Sequence, residues 1–424
     1  MNESIKKRIE AVRRGEVPEG YITKNHQLRP AEWKYEKIGK YFVPYNEFSN
    51  DTETYPLATS SRQGLMLQSE YYSDQRYEET SGGFHVVPEG YVTYRHMSDD
   101  DIFRFNVNNM GGPVLVSPEY PVFTTSEDLH QDMLIAYLNN MKEFTAYCSA
   151  QKKGSTRTRM YFSRLGEFTM PIPPVAEQQK IAEILSTCDR AIELKQQLLE
   201  EKQRQKRAYL QKMLPQNGGN VPEWRLPGFS APWKNKKLGE LVTFYSGLTY
   251  SPDDVMPEGT FVLRSSNVKD GEIVDADNVY VNPTSVNSEN VQIGDIIVVV
   301  RNGSRALIGK HAEIKTDMPN TVIGAFMTGI RSECPPFVNV LLSTPQFDTE
   351  IQKNLGAAIN QITGYMFAKM EFMVPEPAER VAIGEFFRAI DDLIALHQRE
   401  LEQEQQKKKA LMQLLLTGLV RVNT

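Results

Sequence analysis

Residues 173–194 read PPVAEQQKIAEILSTCDRAIEL, and residues 375–396 read PEPAERVAIGEFFRAIDDLIAL. The two stretches share residues at a constant separation along the chain, from Pro173 with Pro375 to Leu194 with Leu396. The shared positions of the first copy are Pro173, Glu177, Ile181, Glu183, Asp189, Ile192 and Leu194. A match of this length and spacing indicates an internal repeat.

A second pair of matching stretches lies nearer the start of each copy. Trp33-Lys34, followed by Lys37-Ile38-Gly39, returns as Trp233-Lys234, followed by Lys237-Leu238-Gly239. The whole chain is therefore one unit used twice, which predicts a pseudo-two-fold structure. Such a protein suits a ligand that is itself roughly two-fold, and double-stranded DNA is the commonest such ligand.

Each repeat ends in one long heptad pattern. Over residues 176–214, and again in the second copy, apolar residues recur with the 3-4 spacing of a coiled coil. A small β domain cannot bury such a seam alone, so we expect the two helices to pack on each other and to run antiparallel. The expected contact joins Ile184, Leu185 and Ile192 with the region of Phe386, Phe387 and Ile394. Pro215 with Gly218-Gly219 is predicted to end the first helix, and Gly418 the second.

The segment before each long helix reads as a compact mixed domain. Short β-rich runs broken by Gly, Pro and Asn predict mostly strands, with hairpin turns at Asp270-Gly271 and Asn302-Gly303. The predicted fold class is α+β, with two similar, mostly β domains separated by two long antiparallel coiled-coil helices. The predicted divisions are an N-terminal helix and connecting segment (1–33), the first domain (34–170), the central long helix (171–216), a linker (217–233), the second domain (234–373) and the C-terminal long helix and tail (374–424).

The composition is that of a globular protein with more than one domain. The chain has 424 residues, of which 40% are hydrophobic and 24% charged, with a net charge of −6. Its apolar runs are shorter than the ~20 residues of a membrane span, and its basic start lacks an apolar signal segment. The three cysteines are not at metal-ligand spacing, so we expect free thiols in a cytoplasmic protein that does not contact membranes.

Basic windows interrupt this otherwise acidic chain. Between Glu143 and Glu167 there is no acidic residue, and basic and hydroxyl side chains there can donate to phosphates or bases. We expect a DNA-facing loop of the first domain at Lys152, Lys153, Ser155, Thr156, Arg157, Thr158 and Arg159. The alternative interpretation is a solvated surface run.

The second domain has a matching set of polar residues. Amide side chains pair with two edge groups of adenine, and arginine pairs with two of guanine. A second acid-free window, between Asp295 and Glu313, carries some of them. The predicted DNA-binding residues of this domain are Arg264, Ser265, Ser266, Asn267, Arg301, Asn302, Ser304, Arg305, Lys310, Asn360, Gln361 and Thr363. For each of these residues the alternative interpretation is turn chemistry, in which the polar side chain stabilises a local turn and does not contact DNA.

The sequence carries no complete catalytic motif. Residues 303–310 only approximate a phosphate-binding loop, because the spacing of the glycines is wrong. Asp295 with Glu313-Ile314-Lys315 matches the loose pattern of metal-dependent nucleases, but Gly294 replaces the usual preceding Pro. A β-hairpin with solvated charged ends is the preferred interpretation of this pattern. Cys334-Pro335-Pro336-Phe337 resembles the signature of amino-methyltransferases, but a thiol lacks the carbonyl acceptor that orients an amine. We therefore expect no catalytic or metal-binding residues, and a recogniser that works through partners.

The junction of each domain with its helix matches a known family. Met170-Pro171-Ile172-Pro173-Pro174, followed by Glu177-Gln178-Gln179-Lys180-Ile181-Ala182, resembles the junction of the specificity subunits of type I restriction-modification systems. Leu415-Leu416-Thr417-Gly418 resembles the closing segment of that family, and Leu263-Arg264-Ser265-Ser266-Asn267 with Gly294-Asp295-Ile296 is typical of its second domain. The second junction departs from the pattern, with Arg380-Val381 in place of Gln-Gln. The resemblance covers nearly the whole chain.

The resemblance implies two target-recognition domains and a DNA-recognition role without catalysis. It implies that two methylation subunits bind the chain and supply the S-adenosylmethionine chemistry. Restriction subunits, with ATP and magnesium, would join through them for cleavage, and the chain itself would bind no cofactor. A helix of about 38 residues is roughly 57 Å long, enough to hold two readers one duplex turn, near 34 Å, apart. A bipartite target with an unread spacer follows.

Two other classes of function stay open at this point. One is a DNA-active nuclease or methyltransferase with degenerate motifs, which would need activity from the isolated chain. The other is a coiled-coil scaffold that does not bind DNA, which would show no sequence-selective DNA binding even with methylation partners present.

Overall fold

The fold divides into two units, Met1–Leu194 with Leu401–Thr424 and Lys195–Glu400. A computed structural model describes residues 3–24, 27–71, 83–152, 157–216, 219–355 and 360–422. The division falls within both long helices, so each unit contains the start of one helix and the end of the other. Within the described residues, no helix is long and apolar enough to cross a membrane.

The first unit combines short helices with short strands. Its short helices are α1 (Glu3–Arg13), α2 (Gln68–Tyr71), α3 (Gln131–Asn140), α4 (Lys142–Ala150) and α5 (Phe162–Gly166). Its strands are β1 (Tyr21–Lys24), β2 (Gln27–Pro30), β3 (Lys34–Lys37), β4 (Phe42–Pro44), β5 (Phe48–Ser49), β6 (Ala58–Ser60), β7 (Leu65–Leu67), β8 (Phe84–Val87), β9 (Val92–Tyr94), β10 (Met97–Ser98), β11 (Phe105–Val107), β12 (Val114–Val116), β13 (Val122–Thr125), β14 (Thr158–Arg159) and β15 (Thr169–Ile172).

The strands of the first unit pair antiparallel. The larger sheet has the order β11-β9-β13-β4, and a second sheet has the order β12-β8-β5. Tyr94 and Phe123 of the larger sheet lie in one apolar core with Leu134 of α3 and Phe144 of α4. Strand β15 pairs with β3, so the last strand before the long helix lies beside the first strand of the domain. This pairing fixes where the domain meets its helix.

The second unit is built from similar elements. Its strands are β16 (Lys234–Lys237), β17 (Val242–Ser246), β18 (Val255–Met256), β19 (Thr260–Leu263), β20 (Val268–Lys269), β21 (Glu272–Ile273), β22 (Val279–Val281), β23 (Ile296–Val299), β24 (His311–Glu313), β25 (Thr321–Ile323), β26 (Met327–Ser332) and β27 (Glu371–Val374). The two long helices, which both units share, and the short helices of the second unit are α6 (Val175–Met213), α7 (Pro335–Leu342), α8 (Pro345–Asn354), α9 (Gly364–Lys369) and α10 (Pro377–Leu416).

Strand β23 lies at the centre of the second unit. It belongs to the sheet β17-β26-β23-β24, and a second sheet, β18-β22-β19-β25, contains a parallel pair. Ile296 and Val298 lie in one apolar core with Phe337 of α7, whereas Ile297 and Val299 lie in another. Both faces of the strand are therefore buried, which explains its continuous apolar sequence. The predicted α+β class is confirmed.

Only one of the two predicted hairpin turns forms. Asp270 and Gly271 have φ angles of +52° and +80°, and they join β20 to β21 as predicted. The prediction at Asn302-Gly303 is wrong, because a longer loop with a 3-10 helix at Arg305–Leu307 connects β23 to β24. The Asn302 side chain accepts from the Ser304 backbone at 3.0 Å, so this segment makes a local turn within that loop.

The two long helices pair antiparallel in both units. In the first unit, Ile184 and Leu185 of α6 lie in one apolar cluster with Leu411, Met412 and Leu415 of α10. An ion pair joins Asp189 to Lys408 at the same level. In the second unit, Phe386 and Phe387 of α10 cluster with Tyr209, Leu210 and Met213 of α6, and Lys206 pairs with Asp391 at 2.6 Å. Antiparallel packing is therefore correct as predicted.

The predicted partner residues within this seam are wrong. In an antiparallel pair the start of one helix packs against the end of the other. Ile184 and Phe386 both lie near the start of their own helices, so each contacts the end of the partner helix and the two do not contact each other. The predicted ends of the two long helices agree with the structure more closely than the predicted contacts do. Helix α6 ends at Met213, just before Pro215, while Gly218 lies outside the described residues. Helix α10 ends at Leu416, and Gly418 follows with φ +70°.

Candidate nucleic-acid interface

A buried carboxylate fixes the first domain to the start of α6. The side chain of Glu177 is 2% exposed and accepts hydrogen bonds from Trp33 Nε1 at 3.1 Å and from Arg421 Nε at 2.6 Å. A buried charge needs such partners because its desolvation is costly. Tyr21 also donates to the Gly418 carbonyl at 2.5 Å. The N-terminal segment and the C-terminal tail thus meet at the first junction.

The second junction repeats this chemistry with different residues. Glu379 is equally buried and accepts from Arg225 Nε at 2.8 Å and Nη2 at 2.7 Å. The departure from the family pattern also has a physical explanation. Gln178 donates to the Pro173 carbonyl at 2.9 Å, and Arg380 donates to the equivalent Pro375 carbonyl at 3.1 Å. The substitution therefore keeps the hydrogen-bond donor that the turn needs.

An acidic turn accompanies the predicted basic loop of the first domain. Exposed Arg157 donates to Asp99 at 2.7 Å, and Lys152 lies 3.7 Å from Asp101. Thr158 is 1% exposed and also donates to Asp101, and this hydrogen bond lowers the pKa of that carboxyl. The pair between Arg157 and Asp99 is exposed and therefore weak, whereas the Asp101 side chain is only 17% exposed. Lys153, Ser155 and Thr156 lie outside the described residues.

Two of the predicted first-domain residues differ in their surroundings. Arg159 is exposed on β14, opposite Met97 of β10. Thr158 is its buried neighbour, so its hydroxyl positions the acidic turn and does not face a ligand. This corrects the expectation that every hydroxyl of this window faces DNA.

A polar cavity near this loop was missed in the sequence. Its volume is about 570 Å³, and exposed Arg62, Arg95 and Arg104 line it together with Gln63 and Ser98. These arginines are spread along the sequence with acidic residues between them, so no basic window marks them. The pairing of β9 with β11 brings Arg95 and Arg104 together, and Arg62 reaches the same cavity through an ion pair with Asp100, next to Asp99 and Asp101.

In the second domain, the predicted segments converge. Asn302 Nδ2 donates to Ser265 Oγ at 3.2 Å, and Arg305 Nε donates to Asn360 Oδ1 at 2.9 Å. Gln361 forms a backbone bridge with Arg301. Three segments that are far apart in sequence, around residues 265, 302 and 360, therefore form one surface cluster of amides, hydroxyls and guanidinium groups.

Some residues of this domain that were predicted to bind DNA instead make hydrogen bonds within the protein. Asn267 is fully buried, and its side chain accepts from the Arg264 backbone at 2.9 Å and donates to the Ala276 carbonyl at 2.8 Å. Thr363 caps α9 by accepting from the Met366 backbone. For these two residues turn chemistry is the correct interpretation, because their polar atoms are already used. Exposed Ser304 and Lys310 lie on the loop between β23 and β24.

Two exposed aromatic residues near the cluster were also missed. The Phe326 side chain is 54% exposed, and the Arg301 guanidinium carbon lies 5.1 Å from its ring centroid. Tyr365 is 69% exposed, with Lys369 Nζ 4.2 Å from its ring centroid. Aromatic rings paired with cations are a common surface for nucleic acids. A single aromatic residue leaves no periodic signal, so sequence patterns did not reveal them.

The residues of the nuclease-like pattern are held in ion pairs. Asp295 accepts from Tyr245 at 2.7 Å and from Arg331 at 3.0 Å. Glu313 pairs with Arg388 at 2.6 Å, and burial raises the pKa of this carboxyl. Within the described residues, no group of three or more His, Cys, Asp or Glu side chains is placed to hold a metal ion. Strands β23 and β24 pair antiparallel as expected, but the expectation of solvated charged ends is wrong, because Asp295 and Glu313 are buried in these ion pairs.

The geometry defines a class of protein: two similar domains, each with a polar and basic surface, joined to a shared pair of antiparallel helices. The sequence profile described as "Type I restriction modification DNA specificity domain" matches residues 37–203 and again residues 231–405. The chain therefore belongs to this family and contains two copies of its domain. The family predicted from the junction residues is confirmed, and with it a role as a type I restriction-modification specificity subunit that recognises DNA sequence.

Individual relatives match this chain over most of their own length. The "Type I restriction enzyme MjaVIII specificity subunit" of Methanocaldococcus jannaschii is 25% identical over 77% of this chain and 80% of its own length. The putative MjaX specificity subunit of that organism is 25% identical over 84% of this chain and 87% of its own length. The crystal structure of the type I S subunit from M. genitalium has a TM-score of 0.59 at 16% identity, covering 95% of this chain and 98% of that one. At this identity, the structural likeness shows the fold.

Proposed function

We propose that this specificity subunit reads a bipartite DNA target, with one domain for each half-site. The observation that carries the proposal is that the DNA specificity domain occurs twice in one chain, each time followed by a long helix. Each copy presents its own polar surface, the basic loop and cavity in the first and the amide cluster in the second. Two separate reading surfaces suit two separate half-sites.

The local charge of these surfaces supports DNA binding by a chain whose net charge is −6. Arg157 is held by an exposed carboxylate that a phosphate can replace, so the arginine is positioned before DNA arrives. Arg301 and Gln361 offer side chains that pair with guanine and adenine edges. Binding energy is thus concentrated at two sites, which favours sequence recognition over general coating of DNA.

The long helices supply the spacing between the half-sites in this proposal. Helix α6 has 39 residues and α10 has 40. At 1.5 Å per residue each is about 60 Å long, more than the ~34 Å of one duplex turn. A rigid pair of this length accounts for an unread spacer between the half-sites.

Catalysis is assigned to partner subunits. In this proposal two methylation subunits dock on the chain and bring S-adenosylmethionine, and restriction subunits with ATP and magnesium join through them in the cytoplasm. The ion-paired state of Asp295 and Glu313 supports a chain without a reaction centre of its own. Methylation or cleavage by the isolated chain would contradict this assignment.

The test is a domain exchange. Residues 234–373 are replaced by the equivalent region of a relative with a different target, and modified adenines are mapped in a host that carries the complete system. We expect one half of the target to change and the other half to persist. The reciprocal exchange of residues 34–170 should change the other half. If either exchange alters both halves or neither, the assignment of one domain to one half-site is wrong.

A further inference from the structure

A cleft of about 630 Å³ opens beside Phe326 in the second domain. One part of its lining is apolar, with Leu248, Met327 and Phe326 itself. Arg264 and Ser265 form another part, and they belong to the amide cluster described above. The cleft therefore combines an apolar wall and a hydrogen-bonding wall within the predicted reading surface.

Phe326 is fixed in an exposed position. Its carbonyl accepts from the Val300 backbone at 2.9 Å and from the Arg301 backbone at 3.3 Å, which ties it to the end of β23. The guanidinium of Arg301 lies against its ring. Val255, which is 47% exposed, lines the same cleft, so the Phe326 and Val255 side chains form an exposed apolar patch of the kind that marks a contact site.

The polar wall has unused hydrogen-bonding capacity. Ser265 Oγ accepts from Asn302 and keeps its own hydroxyl proton to donate, and the Arg264 side chain is 32% exposed where it lines the cleft. Beneath them, Ser266 Oγ and Arg264 Nε are buried and have no hydrogen-bond partner within the described residues. Arg264 is held in place by donating from Nη2 to the Asp277 carboxylate at 2.6 Å. Donors beside an apolar wall complement a ligand edge that presents an acceptor next to a methyl group.

We propose that this cleft reads a thymine through its 5-methyl group. Among the base edges of the major groove, only thymine presents a methyl group, and it lies next to the O4 acceptor. Phe326 contacts the methyl group, and the Arg264–Ser266 side provides the donors for O4. The proposal rests on the proposed function, because it assigns one base contact within the second half-site.

The test removes only the methyl group. Each thymine of the second half-site, on both strands, is replaced singly by deoxyuridine, and DNA binding by the chain assembled with its methylation subunits is measured. At one position the wild-type complex should bind about four-fold more weakly, the value for one buried methyl group. The Phe326→Ala complex should bind thymine DNA more weakly by a similar factor and show no further loss with deoxyuridine at that position.

Two further variants control for folding and for general apolar effects. Phe326→Leu keeps an apolar contact and should keep part of the response to deoxyuridine. Ile293→Ala removes a side chain that is 65% exposed before the other end of β23, and it should respond as the wild type does. Each complex is first compared with the wild type by circular dichroism.

The outcomes separate this inference from the proposed function. If the wild-type complex shows no sequence-specific binding at all, the proposed function fails. If binding is specific but every deoxyuridine duplex binds like thymine DNA, or Phe326→Ala keeps the wild-type response, the thymine contact is refuted. A second half-site without thymine on either strand refutes it too.

Discussion

Asp99 and Arg157 show how one exposed ion pair sets the behaviour of a candidate reading surface. Their side chains are 67% and 55% exposed, so the pair contributes little to stability. Under the proposed function its effect would be on binding, because a DNA phosphate that contacts Arg157 would have to displace the Asp99 carboxylate. That displacement would lower affinity for every sequence alike, so the acidic turn would limit binding that depends on phosphate contacts alone.

Replacing Asp99 should strengthen DNA binding that is independent of sequence. In Asp99→Asn the competing charge is gone, so we expect the assembled methylase to bind unrelated DNA about two- to five-fold more tightly. Arg157→Ala should weaken binding and reduce the salt slope by about one. Glu16→Gln is the matched control, since it removes the same charge from a similarly exposed pair with Arg14, which is not among the residues predicted to bind DNA. An equal gain in Glu16→Gln would show a general effect of net charge.

At the level of single residues, the sequence predicted the position of the basic loop but not the acidic residues that pair with it. Arg157 and Arg159 stand out because no acidic residue is near them in sequence, whereas Asp99 is distant in sequence and close in space. Asn267 failed as a predicted reader for a related reason. An asparagine in a loop has the same signal whether its amide faces DNA or, as here, closes a buried turn. Burial depends on tertiary packing, which a local pattern does not contain.

One buried ion pair holds the start of each long helix in place. Glu177 and Glu379 are repeat-equivalent, and the sequence repeat identified both. Their arginine partners, Arg421 and Arg225, are not at equivalent positions, so the repeat did not identify them. The helices themselves were predicted well, because a heptad seam over about 40 residues is a strong signal. The seam does not specify which residues face each other.

Removing either arginine should destabilise the junction that it closes. Arg421→Met leaves the buried Glu177 with fewer partners, and we expect unfolding in urea to require about 3 kcal/mol less free energy. Arg225→Met should have a similar effect through Glu379, whose side chain is also 2% exposed. Adding Glu177→Gln to Arg421→Met should restore part of the loss, because a neutral amide is less costly to bury.

A surface ion pair provides the control for this measurement. Arg204 pairs with Glu201 on α6, and its side chain is 74% exposed. Arg204→Met should change the free energy of unfolding by less than about 0.5 kcal/mol. Similar losses for Arg204→Met and Arg421→Met would mean that burial of Glu177 does not determine the effect.

The two-fold plan of the whole molecule could be predicted from the internal sequence repeat better than from any single motif. Asp189 pairs with Lys408, and the repeat-equivalent Asp391 pairs with Lys206, so both units show the same antiparallel register. The sequence could predict this two-fold plan because identical residues recur at a constant separation. It could not predict the bases of the target, since these depend on how distant segments such as those of Ser265, Asn302 and Asn360 meet.

Changing the length of one long helix should disrupt this register, and changing both should restore it. An insertion of about four residues after Lys195 adds close to one helical turn to α6. It lengthens the distance between Asp189 and Lys206, while the distance between their partners on α10, Lys408 and Asp391, stays the same. Both ion pairs can then no longer form at once. We expect poor recovery of the methylase complex. A matched insertion after His397, the repeat-equivalent position, should restore assembly. Since the helices grow by about 6 Å, the preferred unread spacer should lengthen by about one to two base pairs. Mapping of modified adenines measures the spacer, and a single-insertion complex that assembles with its original spacer would rule out the helices as the device that sets it.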